Sequence, residues 1–153
     1  MDNEYIDPNY VYAIKKLYSE FSDKNLEKII ENAVEKPFSK ISLTKYDLNK
    51  LKKLNIFNDA KIIFEIISGE IKMYIEFYDK ILNKITKIGI ANTYINIEGD
   101  LKEFEIQLFL DRFLEMINKI PEKDMDIILI NKDFPVFIKT KSYLGMIAGL
   151  KPD

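Results

Sequence analysis

Catalytic chemistry has few places to start in this chain. Its 153 residues include no Cys, no His and no Trp. Disulfides, thiol nucleophiles, His-dependent triads and zinc sites built from Cys or His are therefore excluded. What remains is carboxylates, Lys, Tyr and hydroxyls. Two carboxylate pairs stand close in sequence, Glu98 and Asp100 about Gly99, and Asp124 and Asp126 about Met125. Paired carboxylates can share a metal or divide acid and base roles. Both pairs fall at predicted turns, where Asp and Gly occur for backbone reasons. Spacing places no third ligand and no His beside either. The five glycines are scattered singly, so no phosphate-cradling loop is present. The expectation is a non-enzymatic protein with no catalytic residue, no metal and no cofactor.

The charges suggest a different kind of work. Lys and Arg total 23 against 25 Asp and Glu, a net of −2, which is no general polycation for nucleic acid. The basic residues are almost all Lys, the single exception being Arg112. A hydrophobic fraction of 47% and a charged fraction of 31% are those of a globular chain long enough for one domain. The N-terminal MDNEYIDPNY is acidic and lacks the apolar core of a signal peptide, and no stretch approaches ~20 apolar residues. With the absence of Cys, this leads to the expectation of a soluble intracellular protein without membrane contact, cytoplasmic, or nuclear in a eukaryote.

The elements that must position these charges divide at residue 37. Before it, Pro8 suits a first helical position, and Val11, Ile14, Leu17, Tyr18 and Phe21 follow at helical spacing. Ser22 and Asp23 supply a break, and Leu26, Ile29, Ile30 and Ala33 form a second stripe before Pro37. Residues 1–37 thus read as a helical extension, with 5 basic and 8 acidic residues.

From residue 38 the period changes to two. Ile41 to Leu43 is a short strand, followed by a helix from Thr44 to Asn55 with a Thr44–Asp47 capping box. Lys61 to Ile67 reads as a buried strand, Ile71 to Tyr78 alternates, and weaker strands lie near Leu82 to Ile88 and Thr93 to Ile97. The pattern then restarts. Phe104 to Leu108 alternates, Asp111 can cap a helix stopped by Pro121, and Asp126 to Ile130, Pro135 to Thr140 and Ser142 to Leu150 follow as strands. Ile41 recurs as Ile106, Ile62 as Ile127 and Ile71 as Val136, each 65 positions on. The inference is an α+β fold from a duplicated β-α-β-β-β unit, about residues 38–97 and 104–153 within a 38–153 domain. Two such units side by side predict one curved antiparallel sheet with both helices on one face.

The order of these elements, with certain short words, resembles one domain of the DNA sliding clamps, the proliferating cell nuclear antigen family. The likeness is carried mainly by residues 104–153, in which Asp133-Phe134-Pro135-Val136 stands for a D-x-P-apolar word and Leu150-Lys151-Pro152 for a terminal Leu-Ala-Pro. It is similar chiefly to the C-terminal clamp domain, and covers about three-quarters of the chain. Trimeric clamps carry two such domains per chain and bacterial dimers three, whereas this chain carries one. A ring would therefore need six copies, or a partner that supplies domains.

The resemblance implies a processivity or scaffold factor in DNA replication or repair, touching double-stranded DNA non-specifically through its phosphate backbone. Its DNA-facing helix positions fall on Lys52, Arg112 and Lys119, and Lys45 and Lys53 lie off the Leu stripe on the first helix. Glu115 and Asp111 beside Arg112 oppose phosphate contact, and a Lys-rich helix face also serves simply as a solvated face. A partner pocket for replication or repair proteins is implied at Pro135 and Leu150, although Gly149 stands where the family commonly has an aromatic and Lys151 where it has Ala. An edge for assembly, with itself as a ring or with a host clamp, is implied near Leu82, Ile85 and Ile88. The residues also allow an alternative, second to this reading: a clamp-derived interaction module or regulator that does not encircle DNA, whose N-terminal helices cover an edge strand.

Overall fold

A computed structural model describes residues 4–6, 12–16, 38–57, 59–67, 70–90, 94–98 and 103–150. In chain order the elements are β1 (Glu4–Ile6), β2 (Tyr12–Lys16), β3 (Phe38–Leu43), α1 (Lys45–Leu54), β4 (Lys61–Ile67), β5 (Glu70–Asp79) and β6 (Lys84–Gly89). Then come β7 (Tyr94–Glu98), β8 (Phe104–Phe109), α2 (Leu110–Asn118), β9 (Met125–Leu129), β10 (Val136–Lys139) and β11 (Tyr143–Ile147).

The strands form two antiparallel sheets rather than the single curved sheet expected. One is seven-stranded in the order β1-β2-β11-β10-β9-β3-β7, and the other four-stranded in the order β6-β5-β4-β8. The reason lies in how the helices connect. β3 pairs with β9, Ile41 opposite Ile127, and β8 pairs with β4, Leu108 opposite Ile62. The strand before each helix therefore joins the strand after the other helix. Each helix is a crossover from one sheet to the other, and neither β-α-β-β run holds its strands in one layer.

Alternation turns this topology into a core. Along β5, Ile71, Met73, Ile75 and Phe77 are buried while Glu70, Lys72 and Tyr78 are exposed, the period-two signature of a sheet with one wet face. β4 is buried more continuously because it lies between β5 and β8. Side chains of both sheets and both helices, including Phe64, Leu51 and Phe113, form one contiguous cluster. A smaller cluster of Ile128, Ile130, Phe137 and Leu144, with Phe134 against it, lies apart from it.

The helix expected through Val11 to Phe21 is replaced at Tyr12–Lys16 by strand β2. It pairs with β11 over five residues, from Tyr12 opposite Ile147 to Lys16 opposite Tyr143. Val11, Tyr12 and Ile14 are β-favouring types, and β11 offers an unfilled ladder that a surface helix would leave unpaired. Tyr12 and Ile14 are buried, so period two wins over the helical spacing. The second expected helix, residues 22–37, lies outside the described residues. Asp111 does not cap α2. Phe109 is the N-cap without a side-chain hydrogen bond, and Asp111 accepts instead from the Arg112 backbone N–H at 2.7 Å. β11 ends at Ile147, short of Leu150.

Candidate functional site

The basic surface begins with how α1 is started. Thr44 is its N-cap, and the Asp47 N–H donates to Thr44 Oγ1 at 3.4 Å. In return the Thr44 N–H and hydroxyl donate to Asp47 Oδ2 at 2.9 and 3.1 Å. This box satisfies otherwise orphaned groups of the first turn. It also draws the one acidic side chain of the helix out of solvent, leaving Asp47 1% exposed. Lys45, Lys52 and Lys53 are then exposed beside Tyr46 and Asn49, with no acid among them. Lys52 and Lys53 occupy the last turn, where the helix dipole favours cations. Lys50 turns aside and donates to the Gly89 carbonyl at 3.4 Å.

The second helix is different. Leu110, Phe113, Leu114, Met116 and Ile117 are buried. On its wetter side Arg112 Nη1 donates to Glu115 Oε2 at 3.4 Å, an i,i+3 pair. Arg112 is thus engaged by an acid one turn on, with Asp111 beside it. Lys119 is exposed just past the helix end.

Lys123 joins this surface and was missed by the helical stripes, because it lies beyond Pro121. Its ammonium donates to the carbonyls of Ile117 and Ile120 at 3.0 and 2.7 Å, closing the C-terminal end of α2. Burial, then the charge of Lys52, pushes its pKa below the ordinary lysine value. The ends of α1 and α2 therefore bring Lys52 and Lys123 within electrostatic reach. The available signal was a Lys just past an apolar helical run, where cations complement exposed carbonyls.

The two residues expected at a partner pocket both line one cleft. Pro135 and Leu150 line a cleft of about 680 Å³ with Ile106, Phe134, Ala148 and Gly149, rimmed by Glu105, Lys132 and Asp133. A turn in which the Phe134 N–H donates to the Asn131 carbonyl at 3.2 Å shapes one wall. The Leu150 N–H donates to the Gln107 carbonyl at 2.8 Å and ties the other wall to β8. A Cβ on Gly149 would sit 3.2 Å from Ile106 Cγ2, so the cleft floor has little room for a side chain there.

The expected assembly edge is split. Leu82 lies in the turn before β6, Ile85 is exposed on β6, and Ile88 packs against the core. β6 is an outer strand of the four-stranded sheet. Of the carboxylate pairs, Asp126 accepts from the Ser42 hydroxyl at 2.7 Å and lies 4.0 Å from the Lys40 ammonium, which ties β9 to β3. Asp124 is exposed; Glu98 ends β7 and Asp100 lies outside the described residues. Among the described residues no three of His, Cys, Asp and Glu gather as a metal site, and no helix is long and apolar enough to cross a membrane.

No protein-family model matches this sequence, and no curated relative matches it. Solved structures do match. A protein of Eubacterium rectale assigned as a DNA polymerase III beta subunit aligns over 82% of this chain and 33% of its own, with TM-score 0.54 and 19% identity. The DNA polymerase III beta subunit of Thermotoga maritima aligns over 80% and 34%, with TM-score 0.55 and 12% identity. That of Borrelia burgdorferi aligns over 75% and 30%, with TM-score 0.55 and 12% identity. The chain thus spans about a third of the length of each. Its fold is that of a single sliding-clamp domain.

Proposed function

We propose that this chain is a single-domain, clamp-like accessory factor of DNA replication or repair without catalytic activity. The fold likeness to the beta subunits supports the general role. The observation that carries DNA contact is the face of α1, whose only acid is buried in the cap while Lys45, Lys52 and Lys53 stand in solvent. These three lysines make a basic face suited to phosphates and without a device for reading bases. Arg112 contributes less, because Glu115 already engages it. The cleft at Pro135 and Leu150 would take an apolar segment of a replication or repair protein. Reciprocal exchange of strands about α1 and α2 is what a duplicated unit at residues 38–97 and 104–153 would produce.

The test is topological. Protein loaded on closed circular DNA is expected to persist and to leave once the circle is cut. Equal loss from circle and line counts against encirclement. Six copies forming a ring would weigh about 108 kDa.

One observation favours a second reading, an interaction module that does not encircle DNA. β2 lies on β11 within the same chain and occupies an edge that a neighbouring domain could otherwise use. On this reading, replacing Lys45, Lys52 and Lys53 by Ala leaves DNA affinity and its salt dependence unchanged, whereas on the first it lowers both.

A further inference from the structure

β9 carries an unbroken apolar run, Ile127-Ile128-Leu129-Ile130, the mark of a strand buried on both faces rather than one. Its two faces have different company. Ile127 and Leu129 join Val136, Ile138 and Ile147 in the main cluster, on the side where α1 and α2 pack. Ile128 and Ile130 point the other way with Phe137 and Leu144, and form the smaller cluster. These four are only 2–7% exposed. No described helix contributes a residue to that cluster, and only Phe134, from the turn before β10, packs at its margin. A sheet face open to water alternates to polar residues, as β5 does with Glu70 and Lys72. An outer face this apolar and this dry is a covered one.

The strand order indicates which part of the chain lies there. β2, β11, β10, β9 and β3 are successive neighbours and each pair is antiparallel, so β2 and β3 run parallel with three strands between them. Parallel strands of one sheet are joined by a crossover over one of its faces. Through the registers Lys16 stands level with Leu43, at the opposite end of β3 from Phe38. The chain must therefore return by about 17 Å along the strands and about 19 Å across them, at ~3.3 Å per residue and ~4.8 Å per strand. The 21 residues from 17 to 37 join these two points. A helix of about 12 residues spans about 18 Å, so one helix with a loop at each end fits that diagonal. The inner face is filled by Leu51, Phe113 and other side chains of the two helices. The outer face is the way left.

We infer that residues 17–37 cross the outer face of the seven-stranded sheet and are the cover of Ile128, Phe137 and Leu144. In sequence Leu26, Ile29, Ile30 and Ala33 recur at helical spacing, an apolar stripe of the kind such a face takes. Glu27, Lys28, Glu31 and Asn32 stand between them, as a crossover with one wet side requires. Phe134 belongs both to the covered cluster and to the cleft at Pro135 and Leu150, so the crossover borders that cleft. A partner seated in the cleft would meet the crossover as its neighbour, and the apolar face beyond is withdrawn from partners.

Paramagnetic labelling of the full chain tests this, since the absence of Cys leaves each introduced thiol alone. A spin label at Lys139→Cys, on the outer face, should cause loss of the amide signals of residues 26–33. A label at Lys53→Cys on α1, across the sheet, should spare them. No loss from Lys139→Cys, or equal loss from both sites, overturns the crossover. Labelled chain mixed with isotope-enriched wild type should leave the wild-type signals intact. Loss in that mixture would mean that a second copy covers the face, and overturns the inference. Ile29→Ser with Ile30→Ser should abolish the effect of the Lys139→Cys label. It should also raise the fluorescence of anilinonaphthalene sulfonate, which binds uncovered apolar surface. Unchanged amide shifts in β5 would show that the main core of this variant is folded, and the two label sites decide the matter even where it is not. A label effect and dye signal equal to wild type overturn the stripe as the contact.

Discussion

The two helices hold equivalent places in the topology and have diverged in chemistry. Each carries the chain from one sheet to the other. α1 is started by two side chains and shows lysines to solvent, burying Leu48 and Leu51 with the capping acid. α2 is started without a side-chain cap, buries five of its nine residues and pairs its arginine with a neighbouring acid. A helix with a wide apolar face is held by the core and needs little from its ends, whereas a narrow one depends more on capping. α2 is therefore mainly a structural crossover, and α1 is the one free to present charge.

The largest effect that tests this contrast is on stability. Phe113→Ala in α2 should cost about 3–5 kcal/mol, the usual range for emptying a buried aromatic site. Phe113 is fully buried in the main cluster. Against a typical stability of about 5–15 kcal/mol, chemical denaturation should report a large loss. Replacing Lys45, Lys52 and Lys53 together by Ala should leave the same midpoint nearly unchanged. A mild Phe113 effect with a severe lysine effect would reverse the assignment of the two helices.

Next comes the proposed contact with DNA. Removing one lysine–phosphate pair should lower the slope of log affinity against log salt by about 0.9, so the triple lysine variant should lose up to about 2.7. Relative to equal affinities at 1 M salt, that is on the order of a hundredfold in affinity at about 150 mM. Arg112→Ala should change affinity by less than about threefold, since Glu115 and Asp111 already lower the local potential. Filter binding across a salt series checks both. Equal slopes for the two variants would erase the difference between the helices.

Asp47→Ala should cost about 1–2 kcal/mol, within the range for lost N-caps. It removes acceptors for the Thr44 N–H and hydroxyl. Thermal melting reads the loss, and since the exposed lysines are untouched, the salt slope of DNA binding should remain. A changed slope at unchanged stability would mean that Asp47 tunes the surface rather than the fold.

Local signals were legible where one physical requirement dominated. The Thr44–Asp47 box and the Leu stripe marked α1 because capping and burial agree there. β4, β5 and β8 were legible because period two matches their burial. The segment at Tyr12 is ambiguous because Val11, Ile14 and Leu17 satisfy a helical stripe while Tyr12 and Ile14 satisfy a strand. Only the vacant ladder of β11, over 125 residues away, decides between them. The split into two sheets was equally hidden, since pairing of β3 with β9 is a long-range choice that alternation does not encode. In the candidate site, Pro135 and Leu150 were placed in one cleft through the family resemblance. Lys123 escaped because its position depends on where α2 ends.

The smallest effect concerns the loop after α2. Glu122 accepts from the Thr140 hydroxyl and from the Ser142 N–H and hydroxyl, the latter two at 2.8 and 2.9 Å. It thereby clasps the turn between β10 and β11. Burial works to raise its pKa, but these hydrogen bonds and the charge of Lys141 outweigh it, and the carboxyl is held below the ordinary value of 4.5. A depressed acid contributes stability that is present above its unfolded pKa and lost as pH falls through the folded one. Glu122→Gln should therefore cost about 1 kcal/mol at neutral pH. The difference from wild type should shrink as pH falls below 4.5. Lys123 next to it also makes stability rise with pH, but through a charged form that the fold disfavours rather than favours. Its folded pKa is lowered, so its charged form is penalised in the fold, and that penalty is relieved as pH rises toward 10.5. Measured from acid to alkaline pH, the offset of Glu122→Gln from wild type should change at the acid end and that of Lys123→Met at the alkaline end. Parallel curves would show that the end of α2 is held by packing alone, which would make it more like the rest of that helix and less like α1.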